Sequence, residues 1–118
     1  MQKDNSIYCC YCGREFSFSR YRTDDHLIPV SKGGSNKILN RRNCCRHCNT
    51  EKKDYYLEQW LELVKEKGET YDNNIKIENI LYMIEYVRKY KGQLFKKEEN
   101  WEYYRRRYLK VGYNSTVE

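Results

Sequence analysis

The first half of this sequence has few of the large aliphatic residues that hold small domains together. Between Met1 and Thr50 the set is limited to Ile7, Leu27, Ile28, Val30, Ile38 and Leu39. We therefore expect this half to need a crosslink in addition to burial. The chain also has no apolar run long enough to span a bilayer, so no membrane partner is expected.

We also expect no signal peptide, because the segment Met1–Tyr8 is too polar. Six cysteines in an unsecreted chain favour thiolate–metal chemistry in a reducing compartment over disulfides. With 39% apolar and 34% charged residues in 118, the composition is typical of one compact globular domain, with room for an appended helical segment. We expect a cytoplasmic protein.

The charge is unevenly balanced, with a net value of +6, a pI near 9.0 and 13 tyrosines. A basic surface with aromatic rings suits a polyanion, nucleic acid first and an anionic membrane surface second. Many basic proteins bind no polyanion, so charge alone only favours these partners.

The first half is predicted to be a strand pair followed by a helix. Tyr, Thr, Leu and Ile favour a strand within Ser19–Ile28. Pro29 and the polar cluster Ser31–Asn36 end it in a loop. Ile38–Cys45 is short enough to be the return strand, and a helix is expected from Arg46, continuing through Asp54.

The second half changes to helical periodicity. One apolar stripe, ended by Gly68, and a second stripe after the polar turn Tyr71–Asn74 each predict a helix. A third, weaker helix is expected over Glu98–Leu109. The stripes consist of Leu57, Trp60, Leu61 and Val64, and of Ile77, Ile80, Leu81, Ile84 and Val87.

Two cysteine pairs share one spacing, Cys9-x-x-Cys12 and Cys45-x-x-Cys48. Two such turns supply the four thiolates of a tetrahedral structural zinc site. Buried apolar cysteines or a redox pair would not explain the repeated spacing. Cys10 and Cys44 fit less well and are treated as spare thiols. The 32 residues between the pairs exceed the needs of a simple ribbon, so they must contain a folded unit.

That interval contains the run from Asp25 to Gly34, DHLIPVSKGG, then Asn40 and the ending Cys45–Asn49, CRHCN. Residues 9–53 resemble the HNH endonuclease family, in the subgroup whose ββα-metal motif lies between two CxxC pairs. The resemblance implies an α+β fold. It places a zinc-bound ββα-metal core at residues 1–54 and a mainly helical extension, packed on or beside the core, at residues 55–118.

Family roles transfer to four positions. The resemblance implies that His26 is the general base and that Asn40 orients it and fixes the loop. It also implies that Asp25 and Asn49, the latter in place of the last histidine, hold a catalytic ion. Asn49 could instead cap a helix, Asn40 could cap a turn, and a lone histidine is usually structural. Oxygen ligands favour magnesium or manganese over zinc at that second site.

The neighbouring positions of Asp25 and His26 raise a geometric problem. Adjacent residues of a regular strand point to opposite faces. We therefore expect a twist or irregularity there if both are to face one cleft.

Basic residues suggest how DNA would be held, most simply as a duplex. Candidate phosphate contacts near the motif helix and the third helix are Lys32, Arg41, Arg42, Arg46, Lys52, Lys53, Arg105, Arg106 and Arg107. A solvated charged face is the alternative for each. The acidic middle helices are expected to face away from DNA or to form a dimer seam, which leaves monomer and homodimer both open.

Three functions remain in competition. The first is an HNH nuclease that cuts one DNA strand per active site, whose compactness suggests a phage or mobile-element role. The second is a non-catalytic zinc-ribbon nucleic-acid-binding module, or a degenerate nuclease. The third, less favoured, is a ribonuclease or structure-specific nuclease. The combination of Asp25, His26, Asn40 and Asn49 favours the first, because binding alone has no need for it.

Overall fold

Residues 7–109 are described by this computed structural model, and they form an α+β fold. A two-stranded sheet precedes four α-helices in this range. The elements are β1 (Arg22–His26), β2 (Arg41–Cys45), α1 (Arg46–Lys52), α2 (Leu57–Glu66), α3 (Tyr71–Tyr90) and α4 (Glu98–Tyr108).

The predicted strand pair is confirmed, although both strands are shorter than expected. β1 and β2 are antiparallel, and pairing runs without a break from Arg22 opposite Cys45 to His26 opposite Arg41. α1 follows β2 directly and ends at Lys52 rather than Asp54, because Lys53 takes a positive φ of 52°. The result is a β-β-α unit.

The second half is helical, but one boundary in it was predicted wrongly. Tyr71–Asn74, expected to be a turn, is the first turn of α3. The Thr70 hydroxyl accepts a hydrogen bond from the Asn73 amide at 3.1 Å, and Asp72 lies in the positively polarised first turn. The polar residues therefore begin a helix. The expected helices over the first stripe and over Glu98–Leu109 are confirmed.

Apolar stripes direct these helices onto the first half. All four residues of the α2 stripe are buried, as are Ile80, Ile84 and Val87 of α3, whereas Leu81 is 46% exposed. Trp60 meets Tyr11 edge-on at 4.9 Å between ring centroids. None of the helices within residues 7–109 combines the length and apolarity needed to cross a bilayer.

Hydrogen bonds add to this packing. The side-chain Nδ2 of Asn79 donates to the Tyr11 carbonyl at 2.7 Å, and the Tyr86 hydroxyl donates to the Leu39 carbonyl at 2.8 Å. Near the start of α4, the Lys96 amide donates to the Gly33 carbonyl at 2.8 Å. The helices thus contact both the first cysteine turn and the glycine loop.

One acid of the middle helices, Glu58 of α2, is buried in the protein. Glu58 is 5% exposed, and its Oε2 accepts a hydrogen bond from the Tyr104 hydroxyl at 2.5 Å. Its Oε1 is buried and has no hydrogen-bond partner among residues 7–109. Burial raises the pKa of Glu58 above its ordinary value of 4.5.

Glu58→Gln should therefore stabilise the protein increasingly as the pH rises. A carboxyl with a raised pKa favours folding in its protonated form, so its contribution is complete below pH 4.5 and is lost above it. We expect a gain of about 1 kcal/mol at pH 8. Urea unfolding of zinc-loaded protein at pH 5.5 and pH 8 measures it. A constant difference between variant and wild type would contradict this account.

Candidate metal centre and active-site cleft

Four cysteines converge where the first turn meets the start of α1. The Sγ atoms of Cys9, Cys12, Cys45 and Cys48 all lie within 4.8 Å of one another, and those of Cys12 and Cys45 are 3.8 Å apart. Tetrahedral zinc with bonds of about 2.3 Å separates its sulfurs by about 3.8 Å. The spacing and the donor type therefore fit a metal ion such as zinc.

Hydrogen-bond donors surround these sulfurs. The Tyr11 amide donates to Cys9 Sγ and the Cys48 amide donates to Cys45 Sγ, each at 3.4 Å. Arg20 Nη1 lies 3.5 Å from Cys45 Sγ. Such donors offset the negative charge of a thiolate cluster. Cys10 and Cys44 are buried and lie outside the four-sulfur group.

A cleft of about 220 Å³ opens beside the end of β1. Its lining brings together three residues singled out by sequence, His26, Asp25 and Asn49. The remaining lining residues are Asp24, Pro29, Val30, Ser31, Lys53 and Asp54. The expected strand irregularity is absent from the pairing register, which continues through both Asp25 and His26. Both residues line the cleft, which lies at the end of the strand.

The imidazole of His26 is held by a residue that sequence reasoning missed. Its Nε2 lies 2.9 Å from Asn36 Oδ1. A carbonyl oxygen only accepts hydrogen bonds, so this contact favours the tautomer with hydrogen on Nε2 and leaves Nδ1 as the basic nitrogen. Asn36 ends the polar loop cluster, but only the folded loop shows that it meets the ring.

Asn40 holds the loop rather than the ring. It is fully buried, and its Oδ1 accepts a hydrogen bond from the Ile28 amide at 2.9 Å. Its Nδ2 donates to the carbonyls of Ile28 at 3.0 Å and Ser35 at 2.9 Å. These three bonds tie both ends of the loop that follows His26.

The same loop requires glycine at position 34. A Cβ on Gly34 would lie 1.8 Å from the Ile28 carbonyl oxygen and 2.9 Å from Asn40 Nδ2. Both contacts are far inside van der Waals distance. The absence of a side chain therefore allows the loop to close on Asn40.

Asn49 lies inside α1, whose N-cap is Cys45, so the capping alternative for Asn49 is wrong. Its Nδ2 donates to Thr23 Oγ1 at 2.9 Å, and the Thr23 hydroxyl donates to the Cys44 carbonyl at 2.7 Å. Since the amide nitrogen is engaged, Oδ1 is the atom left to serve as a ligand. Thr23 is a second positioning residue that the sequence did not reveal.

Asp25 is almost fully buried, with 4% exposure, and both of its oxygens have partners. Oδ2 accepts a hydrogen bond from the Tyr11 hydroxyl at 2.8 Å, and Oδ1 lies 3.4 Å from Lys52 Nζ. Burial raises the pKa of this carboxyl, whereas the Lys52 ammonium and the Tyr11 hydroxyl oppose the shift.

Lys52 is correspondingly unavailable to DNA, which corrects the expectation that it contacts phosphate. It is 1% exposed, and its Nζ also donates to the His26 carbonyl at 3.0 Å. α1 turns this side chain inward beside Asn49, three residues earlier on the helix. Its ammonium therefore interacts with two residues that line the cleft, Asp25 and His26, from the buried side.

The other basic residues near the motif remain at least partly accessible. Arg41 pairs with Asp24 at 3.1 Å, and the Arg42 guanidinium lies 4.2 Å from the centroid of the Tyr86 ring. Lys53 is exposed at the edge of the cleft. Two further candidates make partial contacts, namely Lys32 with Tyr56 and Asp54 and Arg46 with Tyr21.

The arginine run of α4 is exposed but not free of local partners. Arg105 pairs with Glu102 at 2.5 Å, and Arg106 lies 3.9 Å from the same carboxylate. Arg107 lies over the ring of Tyr103. Such exposed pairs are weak, so these side chains can exchange an intramolecular partner for phosphate.

Within residues 7–109, the four cysteines are the one group of three or more Cys, His, Asp or Glu side chains that lie close enough together to hold a metal ion. An ion in the cleft would therefore rest on fewer protein ligands. The two donors predicted from the sequence, the Asp25 carboxylate and the Asn49 amide oxygen, are of the kind that suits a hard cation that retains water and leaves positions for phosphate.

Comparison with known proteins agrees with this geometry. Residues 9–62 match the family described as HNH endonuclease. Residues 9–62, called the HNH segment below, are thus similar to HNH endonucleases over slightly less than half of the chain. The β-β-α unit, the four cysteines and the cleft all lie within or along this HNH segment.

One curated protein is similar to this chain over most of the chain's length. The protein named "SPbeta prophage-derived putative HNH endonuclease YoqL" of Bacillus subtilis (strain 168) is 25% identical over 100 residues. The alignment covers 79% of this chain and 40% of that relative, so the chain spans well under half of the relative's length. No solved structure matches the chain significantly.

The four-sulfur centre predicts metal-dependent folding. Cys12→Ser, or removal of zinc with a strong chelator, should unfold the β-β-α unit, because binding free energy at such a site is folding free energy. We expect a loss of several kcal/mol in Cys12→Ser. Circular dichroism with zinc titration measures the effect. Cys44→Ser is the matched control, since Cys44 lies outside the cluster. Retained structure after complete zinc removal would contradict the prediction.

Proposed function

We propose that this protein is a metal-dependent HNH endonuclease that hydrolyses DNA phosphodiester bonds and nicks one strand per active site. The observation that carries the proposal is a single cleft, within an HNH family segment, lined by His26, Asp25 and Asn49. An imidazole base beside oxygen donors for a metal ion is a combination that can hydrolyse a phosphodiester bond.

In this mechanism His26 takes the proton of the attacking water. With Nε2 bonded to Asn36, Nδ1 is the acceptor, and a neutral imidazole accepts a proton near neutral pH. Asn40 acts indirectly by holding the backbone that follows His26. Strand and loop therefore fix the base before substrate arrives.

Two metals are proposed, one for each kind of site. Zinc in the four-cysteine centre is structural. Asp25 and Asn49 would hold magnesium or manganese in the cleft, where the ion would supply Lewis-acid stabilisation of the developing phosphate charge. The Thr23 hydroxyl keeps the Asn49 carboxamide oriented for that ligation.

DNA is the proposed substrate because accessible basic residues border the cleft. Lys53 lies at its edge and Arg46 is exposed at the other end of α1. Such contacts give salt-dependent affinity without sequence readout. The wider set of proposed phosphate contacts comprises Lys32, Arg41, Arg42, Arg105, Arg106 and Arg107. The prophage origin in the relative's name supports a phage or mobile-element origin for this chain as well.

One observation favours a second candidate, a non-catalytic zinc-stapled nucleic-acid-binding module. Lys52 already neutralises Asp25, so the buried carboxylate has a counter-charge without any ion. Cleavage assays distinguish the two functions, because only the nuclease needs His26.

A plasmid-nicking assay tests the proposed base. Wild-type protein with magnesium or manganese should convert supercoiled plasmid to open circles, and His26→Ala should slow this by about 100-fold or more because the base is removed. Circular dichroism and zinc content should not change. Intact plasmid with both proteins across magnesium, manganese and nickel would refute the enzyme.

A second prediction concerns Asn36 as a positioning residue. Asn36→Ala should lower kcat for nicking by about 10-fold while DNA affinity stays constant, because the ring loses its orientation. Asn36→Asp should move the acid limb of the pH–rate profile to higher pH, because a carboxylate stabilises the protonated imidazole. Asn74→Ala, an exposed asparagine of α3, is the matched control. An unchanged kcat and pH profile in both Asn36 variants would rule out this role.

A further inference from the structure

The turn before β1 presents an aromatic ring to solvent. Phe18 is 100% exposed, and Tyr21, three residues later, is 52% exposed. Single exposed apolar residues are common, so exposure alone carries no function. What distinguishes this pair is its fixed position and its basic surroundings.

The turn is held firmly from both sides. The Ser17 amide donates to the Arg20 carbonyl at 3.1 Å, and the Arg20 amide donates to Ser17 Oγ at 3.2 Å. The Arg20 side chain reaches back to Cys45 Sγ at 3.5 Å. Phe18 therefore stands on a closed turn anchored to the metal centre, which reduces the entropic cost of using it in binding.

The turn also contacts the start of α1. The Arg46 amide donates to the Tyr21 carbonyl at 3.0 Å, and the Arg46 guanidinium lies 5.6 Å from the Tyr21 ring centroid. α1 begins there and leads to Lys53 at the edge of the cleft. Arg46 and Thr50 are exposed one turn apart on α1, and Lys53 is exposed just after its end, so polar and basic side chains lie along α1 between the turn and the cleft.

The distance along α1 from the turn to the cleft can be expressed in base pairs of DNA. Seven residues of helix span about 10 Å, which corresponds to about three base pairs of B-DNA. Phe18 lies beyond the start of the helix. DNA lying along α1 with its scissile phosphate in the cleft would therefore pass the turn about three to six base pairs away.

We propose that Phe18 is a wedge that inserts into the base stack of duplex DNA beside the cut site, with Arg22 and Arg46 holding the flanking phosphates. Apolar side chains that enter a base step unstack it and kink the duplex, and stacking on a base is tolerant of sequence. The inference rests on the proposed function, because it takes the substrate of the cleft to be DNA.

Binding is tested in full-length protein that carries His26→Ala, so that cleavage does not interfere. Phe18→Ala should weaken binding to a 30-base-pair duplex by about 10-fold in fluorescence anisotropy. The slope of affinity against salt should stay constant, because no charge is removed. Arg46→Ala should instead reduce that slope by about one. Tyr71→Ala, which removes an 81% exposed aromatic ring on α3, is the matched control and should bind normally.

Insertion has its own signature. His26→Ala protein should shift plasmid topoisomers when they are relaxed in its presence, and Phe18→Ala should abolish most of the shift, whereas Phe18→Trp should retain it. Unchanged affinity and an unchanged topoisomer distribution in Phe18→Ala would overturn the wedge. So would a large fall in Tm or a change in sedimentation, since Phe18 would then pack within the chain or between copies. A protein that binds through Phe18 but never nicks would overturn the proposed nuclease instead.

Discussion

The structure of the first half depends on bringing two cysteine pairs to one point. Cys9 and Cys12 precede β1, whereas Cys45 and Cys48 lie where β2 becomes α1. Joining these pairs closes the 32-residue interval that contains both strands and the loop. The aliphatic residues that this half buries, Leu27 and Ile28, belong to a core shared with the helices, so within residues 7–50 little apolar packing is independent of the second half. The cleft thus lies inside a ring that metal ligation by these four cysteines would close.

Buried polar groups then determine what the cleft can do. Asn40 satisfies three backbone groups of the loop, and the absence of a side chain at Gly34 allows that approach. Lys52 and Tyr11 satisfy Asp25 in the same way. Each group is costly to bury alone and stable as part of a completed set. The geometry around His26 is consequently preformed.

Local patterns of the sequence were sufficient for much of this fold. Repeated cysteine spacing indicated the metal centre, and apolar periodicity located α2 and the later part of α3. The first turn of α3 was missed because its polar residues resemble a loop until Thr70 is recognised as a cap. Contacts between segments that are distant in the sequence could not be predicted from local patterns. Nothing local distinguishes the inward Lys52 from the exposed Lys53, or shows that Asn36 meets the His26 ring.

Tyr11 links the cysteine turn, the cleft and the helices. It lies between two of the four clustered cysteines in the sequence. Its hydroxyl donates a hydrogen bond to Asp25, and its ring packs against Trp60. Any event that opens the cysteine turn would also remove a hydrogen bond from the cleft and a contact from the helices. Under the proposed function, the cellular supply of zinc would in this way control cleavage from a site outside the cleft.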